Sequence, residues 1–147
     1  MSESYSYIEV TSQFSCAAQP SEAEFGLLAS ESFRYVINLG LEEAPYALAN
    51  EEGIVTSLGM KYQNIPVAFD GPLLGDFERF VEAMEKSNGQ RVLVHCAANK
   101  RASCFIALWL ERQGWNSEQG DKLIHQVWQP DSVWQPFLWH VREQFLL

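Results

Sequence analysis

Short runs of β-branched and aromatic residues alternate along this chain with longer stretches whose apolar positions recur every three or four residues. Tyr35-Val36-Ile37-Asn38-Leu39, stopped by Gly40, reads as a buried strand, and residues 60–67, closing on Ile65-Pro66-Val67, as the next. Arg91-Val92-Leu93-Val94-His95 is a short strand with an apolar middle. Helices fit between and after these runs. Ser21 can cap a first helix, with Glu24 three residues on completing a capping box and Phe25, Leu27 and Leu28 supplying its apolar face. A less regular helical stretch is predicted over 42–51, ending at Gly53. From Pro72 to Lys86, Leu73, Leu74, Phe77, Phe80, Val81 and Met84 fall near helical spacing, and Asn88-Gly89 stops that helix. Further helices are predicted over 102–113, ended by Gly114, over 117–127, and over 132–145, where Pro136 starts or kinks the last one.

This alternation predicts an α/β fold, with a central, mostly parallel sheet flanked by helices on both faces. At 147 residues the chain fits one domain, 1–147, with no repeat, linker or low-complexity segment. Hydrophobic residues make up 47% and charged residues 20%, the balance of an ordinary globular protein. No apolar run reaches the length of a membrane span. Met1-Ser2-Glu3-Ser4-Tyr5 lacks the basic and apolar regions of a signal peptide. The net charge is −9, from 10 basic and 19 acidic residues, with no basic stripe to displace counterions, so nucleic acid is not an expected partner. Cys16, Cys96 and Cys104 are an odd set without metal-ligand spacing and point to free thiols in a reducing cytoplasm. No metal or cofactor is expected, and the sequence is silent on oligomeric state.

Candidate chemistry concentrates at the end of the third predicted strand. His95-Cys96-Ala97-Ala98-Asn99-Lys100-Arg101-Ala102-Ser103 leads from that strand into a helix. A short loop there can turn its backbone N–H groups inward as a nest for an anion at the helix N-terminus, the end of a parallel strand where α/β sheets bind ligands. The same field favours a thiolate at Cys96. Arg101, five residues later, can fold back and grip two oxygens with its planar fork.

Val94-His95-Cys96, the short loop, Arg101 and the helix resemble the phosphate-binding loop of protein tyrosine and dual-specificity phosphatases. Gln19-Pro20-Ser21, Val36-Ile37-Asn38-Leu39 and Tyr62-Gln63-Asn64-Ile65-Pro66-Val67 resemble other landmarks of that family. The resemblance spans nearly the whole chain and is nearest to bacterial phosphatase-like domains related to those fused to β-lactamase-fold hydrolases. It implies a dual-specificity-phosphatase-like fold and hydrolysis of a phosphomonoester, on a phosphoprotein or a phosphorylated small molecule. It also implies Cys96 as nucleophile, Arg101 as oxygen clamp, residues Ala97, Ala98, Asn99, Lys100, Arg101, Ala102 and Ser103 as the phosphate cradle, and an aspartate as acid. Asp70, in Ala68-Phe69-Asp70-Gly71-Pro72, follows the strand where the family keeps that acid; the same residues equally spell a simple turn.

Two departures leave alternatives open. Four residues separate Cys96 from Arg101 where common tyrosine phosphatases have five, a spacing shared with rhodanese sulfurtransferases. Ala102 stands where the family has Ser or Thr, which suits a weak, phosphate-binding pseudophosphatase, and Asn99 falls near the family's loop glycine. Of the remaining candidates, His95 is expected to order the loop, Asp76 to cap the next helix and Lys100 to sit at the loop mouth or in solvent. Cys104 and Cys16 are expected in the core, as are the tryptophans Trp109, Trp115, Trp128, Trp134 and Trp139. His125 and His140 have no partner at metal-ligand spacing.

Overall fold

The computed structural model describes residues 6–145; the signal-peptide reading of residues 1–5 lies outside the described residues. In chain order the elements are β1 (Tyr7–Glu9), β2 (Phe14–Ala17), α1 (Glu22–Ser30), β3 (Phe33–Asn38), α2 (Glu51–Ser57) and β4 (Lys61–Asn64). Then follow α3 (Leu74–Lys86), β5 (Arg91–His95), α4 (Lys100–Arg112), α5 (Ser117–His125) and α6 (Trp134–Phe145). The strands form one sheet in the order β1-β2-β5-β3-β4, parallel except for the antiparallel edge strand β1. This is the α/β architecture the pattern predicts, a mostly parallel sheet with helices on both faces.

Strand periodicity divides the core in two. Val92, Val94 and Cys96 face the larger cluster beneath α3–α6, while Leu93 faces the smaller one beneath α1 and α2. In β3 the register slips between Phe33 and Tyr35, so Phe33 and Val36 reach the smaller cluster although three positions apart, and Tyr35 and Ile37 reach the larger. The larger cluster is aromatic at its centre, where Phe105 stacks on Phe137 and meets Phe77, Phe80 and Trp134.

The capping box is present: the Ser21 hydroxyl accepts from Glu24 N–H at 3.2 Å, and Glu24 Oε1 from Ser21 N–H at 2.9 Å. Asp76 caps α3 from inside, accepting from Leu73 N–H at 2.9 Å and pairing with Arg79. The predicted helix over 42–51 is corrected. Residues 42–50 turn, and α2 begins where that helix was to end. Pro45 carries no N–H and disfavours helical backbone at the residue before it, and Asn50, at φ 57°, resets the chain in left-handed conformation. Gly53 sits inside α2, where a Cβ would meet the Asn50 side chain at 2.6 Å. β1 and β2 are additions that the hydrophobic pattern did not predict. α4 starts at Lys100, two residues before its expected start. Of the tryptophans expected in the core, Trp134 and Trp109 are buried and Trp115 and Trp128 partly so, but Trp139 is 58% exposed. It lies on the solvent side of α6.

Candidate active site

β5 delivers His95 and Cys96 to the carboxyl edge of the sheet, and their side chains leave on opposite faces. Cys96, 1% exposed, lies on the α4 side and lines a cavity of about 270 Å³ with Phe69, Ala97, Ala98, Lys100 and Arg101. The chain turns into α4 through Asn99, which is buried with φ 67°. Left-handed backbone is ordinarily glycine's, and Asn is among the side chains that tolerate it, which explains how Asn99 can replace the expected loop glycine. Ser103 N–H makes the first bond of the helix, to Asn99 O at 2.9 Å. The amides of Lys100, Arg101 and Ala102 therefore open α4 as first-turn donors without intrahelical acceptors.

Arg101 folds back from the start of α4 and is 5% exposed. Its Nη1 donates to the Val67 carbonyl at 2.8 Å and its Nη2 to Tyr46 Oη at 3.3 Å; Nε is buried without a partner. Among the described residues no carboxylate pairs with it. Buried arginines are as a rule charge-paired.

On the other face, His95 Nε2 donates to Glu51 Oε2 at 2.6 Å, both side chains being buried, and the ring meets Phe25 edge-on. Gln19 Nε2 donates to Glu51 Oε1 at 2.7 Å, and Gln19 N–H to the Ala97 carbonyl at 3.2 Å. The Gln19 landmark thus ties the loop to the histidine. His95 is linked to the loop through Glu51 and Gln19, by a carboxylate the sequence reading had left at the end of a misplaced helix. Tyr46 and the Val67 carbonyl are likewise contacts that reading missed. The available signal was Pro45, which argued against a helix and for a loop able to reach the site.

Asp70 stands apart. It is exposed in the turn 68–71, does not line the cavity, and its carboxylate has no hydrogen-bond partner among the described residues. Its neighbour Phe69 lines the cavity instead. Trp134 Nε1 holds the Phe69 carbonyl at 2.7 Å, and the ring packs on Trp128 and Trp134. Lys100, exposed at the mouth, places its ammonium 5.8 Å from the Phe69 centroid and 5.5 Å from that of Trp128. Ser103 Oγ donates to the Lys100 carbonyl at 3.0 Å, and Ala102 is wholly buried.

No family model and no curated protein matches this chain. Solved structures do. A DUF442 protein of Shewanella putrefaciens CN-32, described as a candidate phosphatase, superposes with a TM-score of 0.87 at 32% identity, covering 95% of this chain and 93% of that one. The chain belongs to the DUF442 phosphatase family. The DUF442 fold extends to more distant structures: PTPMT1 in complex with PI(5)P (19% identity, TM-score 0.81, 95% and 96% covered), and the core catalytic domain of the PP-IP phosphatase SIW14 from S. cerevisiae (18%, 0.75, 90% and 82%). This DUF442 chain therefore has the architecture of protein tyrosine phosphatase-like hydrolases.

Its other two thiols are suited to remain inert. Burial pushes the Cys16 thiol up to about 12, tempered by Asn99, and burial likewise raises the Cys104 thiol. Iodoacetamide at pH 7 is expected to alkylate Cys96 first in the folded protein and to reach Cys16 and Cys104 after unfolding, read by peptide mass spectrometry. Equal labelling of all three in the native state would contradict this placement.

Proposed function

We propose that this protein hydrolyses a phosphomonoester through a phosphocysteine at Cys96. The observation that carries the reading is Arg101, a buried guanidinium without a carboxylate partner among the described residues, lining one cavity with Cys96 at the start of α4. The residues 97–103 form the cradle, with the first amides of α4 and Arg101 on the phosphoryl oxygens.

In the first step the Cys96 thiolate attacks phosphorus; the S–P bond forms, the P–O ester bond breaks, and the leaving oxygen takes a proton from an acid. In the second, water attacks phosphorus, gives its proton to the same acid's conjugate base, and releases phosphate and the thiolate. Asp70 is the proposed acid. From its exposed turn it reaches the leaving group by movement of residues 68–71, with Gly71 as the permissive position. Lys100 and Arg101 are the basic residues lining the cavity, which suits one phosphoryl group at a time. A phosphorylated small molecule or a phosphoprotein fits this cavity. The PI(5)P complex and the PP-IP phosphatase among the fold neighbours support the former. Three free cysteines suit a reducing compartment such as the cytoplasm. Among the described residues no helix is long and apolar enough to cross a membrane.

The second step is the slow one. Ala102 cannot donate to the departing sulfur, and the Ser103 proton is already committed to the Lys100 carbonyl. A missing hydrogen bond to a charged group slows a step by roughly 10- to 150-fold. Rapid mixing with p-nitrophenyl phosphate should give a burst of product and a phosphocysteine at Cys96, with Ala102→Ser raising the slow rate at least several-fold and Cys96→Ser abolishing the burst. Phosphate binding without burst or turnover across a wide set of phosphoesters would favour the pseudophosphatase reading.

Asp70→Asn should slow an alkyl phosphate by about 10²–10⁴-fold, the usual range for proton-transfer catalysis, and p-nitrophenyl phosphate far less, because nitrophenolate leaves without a proton. Equal slowing of both substrates would make Asp70 a structural residue.

A further inference from the structure

The corner after β3 is built around a glycine. Gly40 N–H donates to Asn38 Oδ1 at 2.8 Å, and Asn64 Nδ2 donates to the Asn38 and Gly40 carbonyls at 2.8 and 3.0 Å. The corner is thereby fixed on both sides. A Cβ on Gly40 would lie 3.0 Å from Asn38 Oδ1 and 3.1 Å from Tyr46 Cε1 and Tyr46 Oη. The absent side chain is what lets the phenol settle against this corner. Leu41 N–H then donates to Tyr46 Oη at 2.8 Å, and Arg101 Nη2 donates to the same oxygen at 3.3 Å.

We propose that Tyr46 is a positioning residue for Arg101; this rests on the reading of residues 96–101 as an oxyanion loop. The Val67 carbonyl and the Tyr46 hydroxyl grip the guanidinium at its two terminal nitrogens, from two different loops. Two anchors at the terminal nitrogens, together with the side chain's own attachment at Nε, set the plane of the fork, and Nε–H, which has no partner, is left for the ligand. Both grips are neutral. A carboxylate at position 46 would hold the fork as well but would cancel the charge that an oxyanion needs, whereas a phenol holds it and leaves the charge available. Gly40 belongs to the same device, since it sets how near the phenol comes.

The test is orthovanadate binding by calorimetry to the full chain, with melting temperatures recorded without ligand. Tyr46→Phe removes one oxygen and should weaken vanadate on the order of 10-fold, the lower range for a hydrogen bond to a charged group, with little change in melting. Gly40→Ala keeps the tyrosine but displaces it, and should weaken vanadate in the same direction; it carries the comparison if Tyr46→Phe folds poorly. In an Arg101→Lys background, Tyr46→Phe should cost little more, because its effect runs through the guanidinium. Unchanged vanadate affinity in Tyr46→Phe, or the same loss in both backgrounds, overturns the positioning role while leaving the oxyanion loop standing. Wild type that does not bind vanadate overturns both.

Discussion

Arg101 is held in the interior by oxygen atoms that carry no charge. The Val67 carbonyl and Tyr46 hydroxyl satisfy two of its donors and the Tyr46 and Phe69 rings lie 5.9 and 5.8 Å from the guanidinium, yet no carboxylate answers its positive charge among the described residues. Burying an ion this way is costly, and proteins keep such arrangements where a ligand completes them. Much of the surrounding structure serves this one group. Asn99 turns the chain into α4, the segment after β4 brings the Val67 carbonyl, and the segment after Gly40 brings a phenol. Val67 N–H bonds the Leu39 carbonyl at 3.0 Å, so the segment after β4 is itself anchored to the end of β3.

The two faces of β5 divide the labour. On one, Cys96 and Arg101 share a cavity edged by Phe69 and Lys100. On the other, His95, Glu51 and Gln19 form a hydrogen-bonded chain that returns to the loop at Ala97 O. A strand's alternation makes this possible, because neighbouring residues on one strand address opposite layers. Cys96 and His95 are therefore adjacent in sequence and separate in space.

The loop was legible because strand, loop and helix are local patterns, and because cysteine and arginine at that spacing have a chemical meaning. Ser21 and Glu24 were legible for the same reason, since a capping box is complete within four residues. Glu51 and Tyr46 were not. Their roles depend on a loop whose path is set by the long-range Asn38–Asn64 contacts and by the room beside Gly40. The helix predicted over 42–51 hid both residues by treating Pro45 as incidental. β1 and β2 were passed over because three- and four-residue strands carry little periodicity, and their pairing with β5 is non-local. Asp70 could be named from the chain but not placed, and the structure sets it outside the cavity.

We propose that the charge of Arg101 is there for an anion. The direct measurement is the melting temperature of wild type and Arg101→Met with increasing inorganic phosphate. A ligand that binds the folded state adds about 2.7 kcal/mol of stability at a hundred times its dissociation constant. Wild type is predicted to rise steadily with phosphate, and the methionine variant, of similar length but uncharged, to stay flat. Equal rises in both proteins would place phosphate elsewhere and make Arg101 a structural residue.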